Sequence, residues 1–161
     1  MVKEYSGSME DYLEAIAVIS RERPAARVSE MSRLLGVKKP SVTAALKKLS
    51  AEGLVQHERY GYVNLTPKGA RIAEKVYKRH NTLQCFLTDI LGIDPKIAQE
   101  DACKIEHAIS NDTADRLAKF VEFVSTCPIG APEWLKEFER YLVKGERSAE
   151  CMARCHDRDN S

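Results

Sequence analysis

The sequence predicts a mainly α protein with one small β-hairpin wing: a winged helix-turn-helix followed by a helical second domain. Three observations predict it. Apolar residues recur at three- and four-residue intervals along most of the 161 residues. Two short helical segments meet at a tight turn containing Gly36. After Gly53 the period shortens to that of strands, on either side of Tyr60-Gly61.

From Met9 to about Glu22, the residues Met9, Tyr12, Leu13, Ile16 and Ile19 trace one helical face; Ser8 is the expected N-cap, and Pro24 closes the segment. Ser29 is expected to cap a short helix that Gly36 ends in a left-handed conformation. Pro40 suits the start of the next helix, where its missing N–H costs nothing. Val42, Leu46 and Leu49 form the apolar face of that helix, and Ser41, Thr43, Ala44, Lys47 and Lys48 the rest. The run Leu54 to Leu65 then reads as two strands, and a hairpin directly after such a helix pair is a wing. Thr66 and Pro67 open a long helix with Ile72, Val76, Leu83, Leu87 and Ile90 on its apolar side, expected to run to Leu91 before Gly92. Asp94-Pro95 opens another, through about Ser110, and Asn111 or Asp112 caps a third. Glu133 to about Lys144 is amphipathic through Trp134, Leu135, Phe138, Tyr141 and Leu142. Beyond Gly145 the tail is polar, helical or frayed, with a disordered polar tail the default expectation, although Cys151, Cys155 and His156 also have a spacing able to bind metal. The expected domains are therefore 1–72, 73–144 and a tail, 145–161.

Hydrophobic residues make up 43% and charged residues 30% of the chain, a globular composition that excludes wholesale disorder. No apolar run approaches the roughly 18 residues of a membrane span. The opening MVKEYSGSMEDY lacks the apolar core of a secretory signal, so a cytoplasmic protein is expected. A net charge of +1 conceals an asymmetry. Residues 1–80 hold 15 Lys/Arg and 9 Asp/Glu, residues 81–161 hold 10 and 15, and residues 27–79 hold 12 and 4. A basic half joined to an acidic half suggests a polyanion-binding part beside a part with another task; chance clustering of surface charge is the alternative. The odd count of 5 cysteines, irregularly spaced, argues against a disulfide framework.

The stretch Cys103-Lys104-Ile105-Glu106-His107 is the most informative. Residues 103, 106 and 107 project from one side of a helix, and thiolate, carboxylate and imidazole together can hold a divalent transition metal. A buried cysteine beside a solvated glutamate and a hydrogen-bonded histidine fits the same spacing. Asp11 and Glu14 form a second pair at i, i+3, and His80 follows Lys78-Arg79 in the long helix; taken singly, each is also an ordinary surface residue.

Together these segments resemble the diphtheria-toxin-repressor and manganese-transport-regulator family of metal-dependent transcriptional repressors. Ser8-Met9-Glu10-Asp11-Tyr12-Leu13-Glu14 is similar to the family's first-helix motif and Lys78-Arg79-His80 to its long-helix ligand site. Glu100 to His107, followed by Ser110 and Arg116-Leu117, is similar to its metal-binding helix. The resemblance covers nearly the whole chain through about Pro132. It implies a helical dimerisation domain, a homodimer on a pseudo-palindromic double-stranded DNA operator, and Asp11, Glu14, His80, Cys103, Glu106 and His107 as metal ligands. It implies Mn²⁺ or Fe²⁺ as co-repressor, with Co²⁺ or Zn²⁺ able to substitute. Asp11 matches the manganese branch and Cys103 the iron branch, so the ligand set is a hybrid of hard and soft donors. The iron branch's second-site His and Glu read Gln99 and Gln84 here, and the family's SH3-like third domain is not expected after residue 145. Lys38, Lys39, Ser41, Thr43, Lys47, Lys48, Arg59 and Tyr60 are the expected DNA contacts, the lysines to phosphates and Ser41 and Thr43 to base edges. The rival readings are a metal-independent winged-helix regulator with another effector, and a metalloenzyme using Glu106 as acid/base. No enzymatic activity is expected.

Overall fold

The computed structural model describes residues 5–58, 61–128 and 130–158, the last five through their backbone alone. The chain divides into two compact units, Met1–His80 and Asn81–Ser161.

In the first unit, α1 (Gly7–Glu22), β1 (Ala26–Arg27), α2 (Val28–Leu34), α3 (Lys39–Ala51), β2 (Val55–His57) and β3 (Tyr62–Leu65) precede the first turns of α4 (Pro67–Cys85). α1 starts earlier than expected. Ser6, not Ser8, is its N-cap, and the Ser6 carbonyl accepts from the Met9 and Glu10 amides at 2.8 and 3.1 Å, which brings Tyr5 and Met9 onto the core. α2 likewise starts before Ser29. Arg27 is its N-cap, and the Glu30 carboxylate accepts the Arg27 amide at 3.1 Å. Arg27 is held extended by a third strand that the sequence reading did not include. β1 pairs antiparallel with β3 (Ala26 with Val63, Arg27 with Tyr62), and β3 pairs with β2 (Gln56 with Asn64), giving the order β1-β3-β2.

Leu13 and Ile16 of α1, Met31 of α2, Val42, Leu46 and Leu49 of α3, Leu54 and Val63 are all fully enclosed in one core. α1 and α3 therefore share a packed interior and resist independent movement. α4 is seated on the chain leaving α3. Thr66 Oγ1 accepts the Gly69 amide at 3.1 Å, as expected of a cap, and donates to the Gly53 carbonyl at 2.7 Å. A Cβ at position 69 would lie 2.0 Å from the Leu54 carbonyl oxygen, so only glycine allows this approach.

In the second unit the long helix reaches Ile90, but its last five residues, Phe86–Ile90, form a π-helical turn. The Leu91 amide closes that turn on the Phe86 carbonyl at 3.1 Å. Asp94 caps α5 (Pro95–Ile105), accepting from Lys96 N at 2.9 Å. α5 stops at Ile105 rather than near Ser110, because Ser110 turns to cap α6 (Asn111–Ser125), its Oγ accepting the Thr113 amide at 3.2 Å. α7 (Glu133–Lys144) ends at Gly145 with φ 70°, and α8 (Ala149–Arg158) replaces most of the expected disordered tail. The core here is in two parts, one around Leu83, Leu87, Ala98 and Ala102 and one around Ile90, Val124 and Leu135. Phe120 makes an edge contact with Phe86 and stacks on Trp134, at centroid separations of 6.3 and 6.2 Å.

Candidate metal centre and DNA-binding face

At the α5 end of the second unit Glu106 is paired with two other donors, Cys103 and His107. Ile105 is the last residue of α5, yet Glu106 keeps helical dihedrals (φ −57°, ψ −31°) and its amide still bonds the Ala102 carbonyl at 2.9 Å. Cys103 and Glu106 thus stay on one side, with a carboxylate oxygen of Glu106 within 4.8 Å of the Cys103 Sγ. His107 Nε2 lies 3.3 Å from Glu106 Oε1. Cys103 is exposed, His107 is partly exposed, and Glu106 is only 1% exposed. A carboxylate removed from water in this way demands compensating positive charge or hydrogen bonds. A carboxylate with a thiol in reach and an imidazole beside it offers donors that suit a divalent transition metal. Lys104 supplies none of that charge by ion pairing: its ammonium donates to Asp101 Oδ1 at 3.0 Å, which raises its pKa above the usual lysine value.

The other three expected ligands belong to the first unit. Asp11 and Glu14 are both half-buried on α1, next to the enclosed Tyr12, Leu13 and Ala15, and His80 is the residue at which this unit ends. Two contacts bind α1 to α4 beside them. Arg79 Nη1 lies 3.8 Å from Glu10 Oε2, with side chains 10% and 16% exposed, and the Arg21 guanidinium sits 3.9 Å above the Tyr77 ring. Glu10 and Arg79 are the sequence neighbours of Asp11 and His80, so this pair fixes the backbone from which both project. Sequence reasoning missed it, because nothing local links position 10 to position 79.

Of the expected DNA contacts, Lys38, Lys39, Ser41, Lys47 and Lys48 are exposed at or along α3. Thr43 is half-buried, and its hydroxyl donates to the Lys39 carbonyl at 3.0 Å, so Ser41 is the freer of the two hydroxyls. Arg59 and Tyr60 lie outside the described residues. The alternative, metal-binding reading of the tail rests partly on Cys155 and His156, whose side chains also lie outside them. Among the described residues, no helix is long and apolar enough to cross a membrane.

Residues 4–63 match the family model "Iron dependent repressor, N-terminal DNA binding domain", and residues 66–135 match "Iron dependent repressor, metal binding and dimerisation domain". A helix-turn-helix-type transcriptional regulator of Methanocaldococcus jannaschii is 43% identical over 73% of this chain and 94% of its own length. The regulator MntR of Bacillus pumilus is 38% identical over 72% of this chain and 80% of its own. Among solved structures, the IdeR protein of T. acidophilum is 28% identical with a TM-score of 0.65 over 81% of this chain. A manganese-dependent transcriptional repressor in complex with manganese is 28% identical with a TM-score of 0.67 over 71% of this chain. The chain spans 60% and 53% of the lengths of these two structures. The chain belongs to the diphtheria-toxin-repressor and manganese-transport-regulator family of metal-dependent, DNA-binding transcriptional repressors.

Proposed function

We propose that this regulator is a cytoplasmic homodimer that represses metal-homeostasis genes when Mn²⁺ or Fe²⁺ binds, reads a pseudo-palindromic operator, and has no enzymatic role. Its ligands in this reading are Asp11, Glu14, His80, Cys103, Glu106 and His107. The observation that carries the reading is the enclosed Glu106 carboxylate, at 1% exposure, which lies within 4.8 Å of the Cys103 Sγ and 3.3 Å from His107 Nε2 in the metal-binding half of the family match.

Asp11 and Glu14 stand on α1, and the core that encloses Leu13 and Ile16 also encloses Val42, Leu46 and Leu49 of α3. A restraint on α1 is therefore a restraint on the recognition helix. The carboxylates of Asp11, Glu14 and Glu106 repel one another if brought together uncompensated. A bound divalent cation supplies the charge that lets carboxylates of both units converge. An arrangement of the two units that engages all six donors is then favoured over those that engage fewer, and this differential affinity is what couples metal to DNA. Lys38, Lys39, Lys47 and Lys48 position the unit on phosphates, and Ser41 is the best-presented group for a base edge. Asp11 and Glu14 are hard oxygen donors and Cys103 is a soft one, so Co²⁺ and Zn²⁺ can substitute.

The test is DNA binding by the full chain across buffered Mn²⁺, Fe²⁺ (anaerobic), Co²⁺ and Zn²⁺, with chelator controls. Affinity should rise with metal and fall on chelation. Affinity that ignores chelation would overturn the reading in favour of a metal-independent regulator.

A further inference from the structure

The basic excess of the first unit is not confined to α3. On the first three turns of α4 the exposed side chains are Pro67, Lys68, Ala70, Arg71, Glu74, Lys75 and Lys78, while Gly69, Ala73 and Val76 face the interior. At about 100° per residue, Lys68, Arg71, Lys75 and Lys78 fall within a sector of roughly 80°. The single acid on that face, Glu74, lies at its edge and is taken up by Lys78, 3.4 Å from its Oε1. Among the described residues Arg71 and Lys75 have no ion-pair partner. Four cations gathered along one side of a helix repel one another, and local stability does not call for this arrangement. It suits a polyanion.

The stripe begins where the recognition helix ends. The Lys68 ammonium donates to the carbonyl of Glu52, the residue that caps α3, at 3.2 Å. Gly69 rests against the Leu54 backbone, and Thr66 is bonded to Gly53. The exposed Lys47 and Lys48 of the last turns of α3 therefore continue through Lys68 into Arg71 and Lys75 within one unit. Along the helix axis Lys68 and Lys75 are separated by roughly 10 Å, about the axial rise of three base pairs of a DNA duplex. We propose that the exposed face of α4 carrying Lys68, Arg71, Lys75 and Lys78 is a second phosphate-binding surface, which holds duplex DNA alongside the contacts of α3. This rests on the DNA-binding reading of the unit.

The experiment measures the salt dependence of binding to a mixed-sequence 40-bp duplex by the Mn²⁺-loaded full chain, for wild type, Arg71→Ala/Lys75→Ala, Lys47→Ala/Lys48→Ala and the charge-matched control Lys96→Ala/Lys136→Ala. Removing two phosphate contacts should lower the slope of log affinity against log salt by about 1.8. Between 50 and 200 mM salt, wild type should thus lose about tenfold more affinity than Arg71→Ala/Lys75→Ala. The control, which removes the same charge from the second unit, should keep the wild-type slope. Circular dichroism should show all four proteins equally folded, since every substituted side chain is exposed. The stripe is overturned if the α4 variant keeps the wild-type slope, or if the control changes the slope as much. An unchanged slope in the Lys47/Lys48 variant would instead remove the underlying reading of α3.

Discussion

The two units distribute their apolar residues differently. In the first, three helices and a three-stranded sheet close over one continuous core, and Leu13, Ile16, Met31, Val42, Leu46, Leu49, Leu54 and Val63 are fully enclosed within a single chain. In the second, the enclosed residues form two small clusters, and large apolar side chains remain outside: Phe123 is 73% exposed, Leu142 52% and Val143 85%. A chain that leaves so much apolar surface on one unit is built to bury it against something else. That unit is also the one whose family match is a dimerisation domain. The DNA-binding half thus has a self-contained core, whereas the half matching the dimerisation domain leaves apolar surface exposed that association would cover.

The first expected effect is on signalling between the halves. Glu106→Gln and His107→Ala should each remove the metal response of DNA binding, a loss of roughly 5–150-fold at saturating metal if the coupling is of ordinary size. Fluorescence anisotropy with and without chelator reads it, and sedimentation should still find a folded dimer. A variant that answers to the same metal concentration as wild type would remove that residue from the ligand set.

Next come two substitutions chosen to set the cores against each other. Leu46→Ala should destabilise the protein by about 2–5 kcal/mol, through lost burial and the cavity left behind. Phe123→Ala should change the stability of the isolated chain by less than about 0.5 kcal/mol and should weaken self-association. Thermal unfolding at concentrations where the chain is monomeric, paired with sedimentation equilibrium, separates the two. Equal destabilisation by both would erase the contrast.

Arg79→Ala is expected to cost less, about 1–3 kcal/mol, by removing half of a largely enclosed pair. Because that pair fixes α1 against α4 beside Asp11 and His80, metal affinity should fall as well. Calorimetry that finds stability lowered and metal affinity untouched would show that the pair only braces the fold.

The smallest effect concerns the α7–α8 corner. Ser148 donates to the Glu137 carboxylate, its amide reaching Oε2 at 3.3 Å, and holds that carboxyl below its usual pKa. A carboxyl whose folded pKa is depressed contributes stability above the ordinary carboxylate range and loses it as pH falls through the lowered value. Wild type should therefore exceed Glu137→Gln in melting temperature by slightly more at pH 7 than at pH 3. A gap that does not narrow on acidification would remove the carboxylate from the corner's stability.

Much of this architecture is legible locally. The spacing of Val42, Leu46 and Leu49, the Gly36 turn and the Thr66-Pro67 start are each set by neighbours a few residues away, and the structure has them where the sequence predicts. What the sequence hides depends on distant partners. β1 has two residues, too few for a period, and exists because Tyr62 and Val63 pair with it. α5 ends early because Ser110 is recruited by the next helix, and the π-turn at Phe86–Ile90 has no compositional mark. In the candidate site, the donors Cys103, Glu106 and His107 are visible as a motif, but the enclosure of Glu106 and the Glu10–Arg79 brace are not.

Direct calorimetric titration of Mn²⁺ into the full chain tests most simply whether both units supply the ligands. Asp11→Asn and Glu14→Gln alter proposed donors of the first unit, and Cys103→Ser and His107→Ala alter proposed donors of the second. If the metal is held by both, all four variants should bind Mn²⁺ at least ~10-fold more weakly than wild type while remaining folded. Wild-type Mn²⁺ affinity in Asp11→Asn and Glu14→Gln, with loss only in Cys103→Ser and His107→Ala, would confine the metal to the second unit and contradict the coupling of metal to the recognition helix through α1.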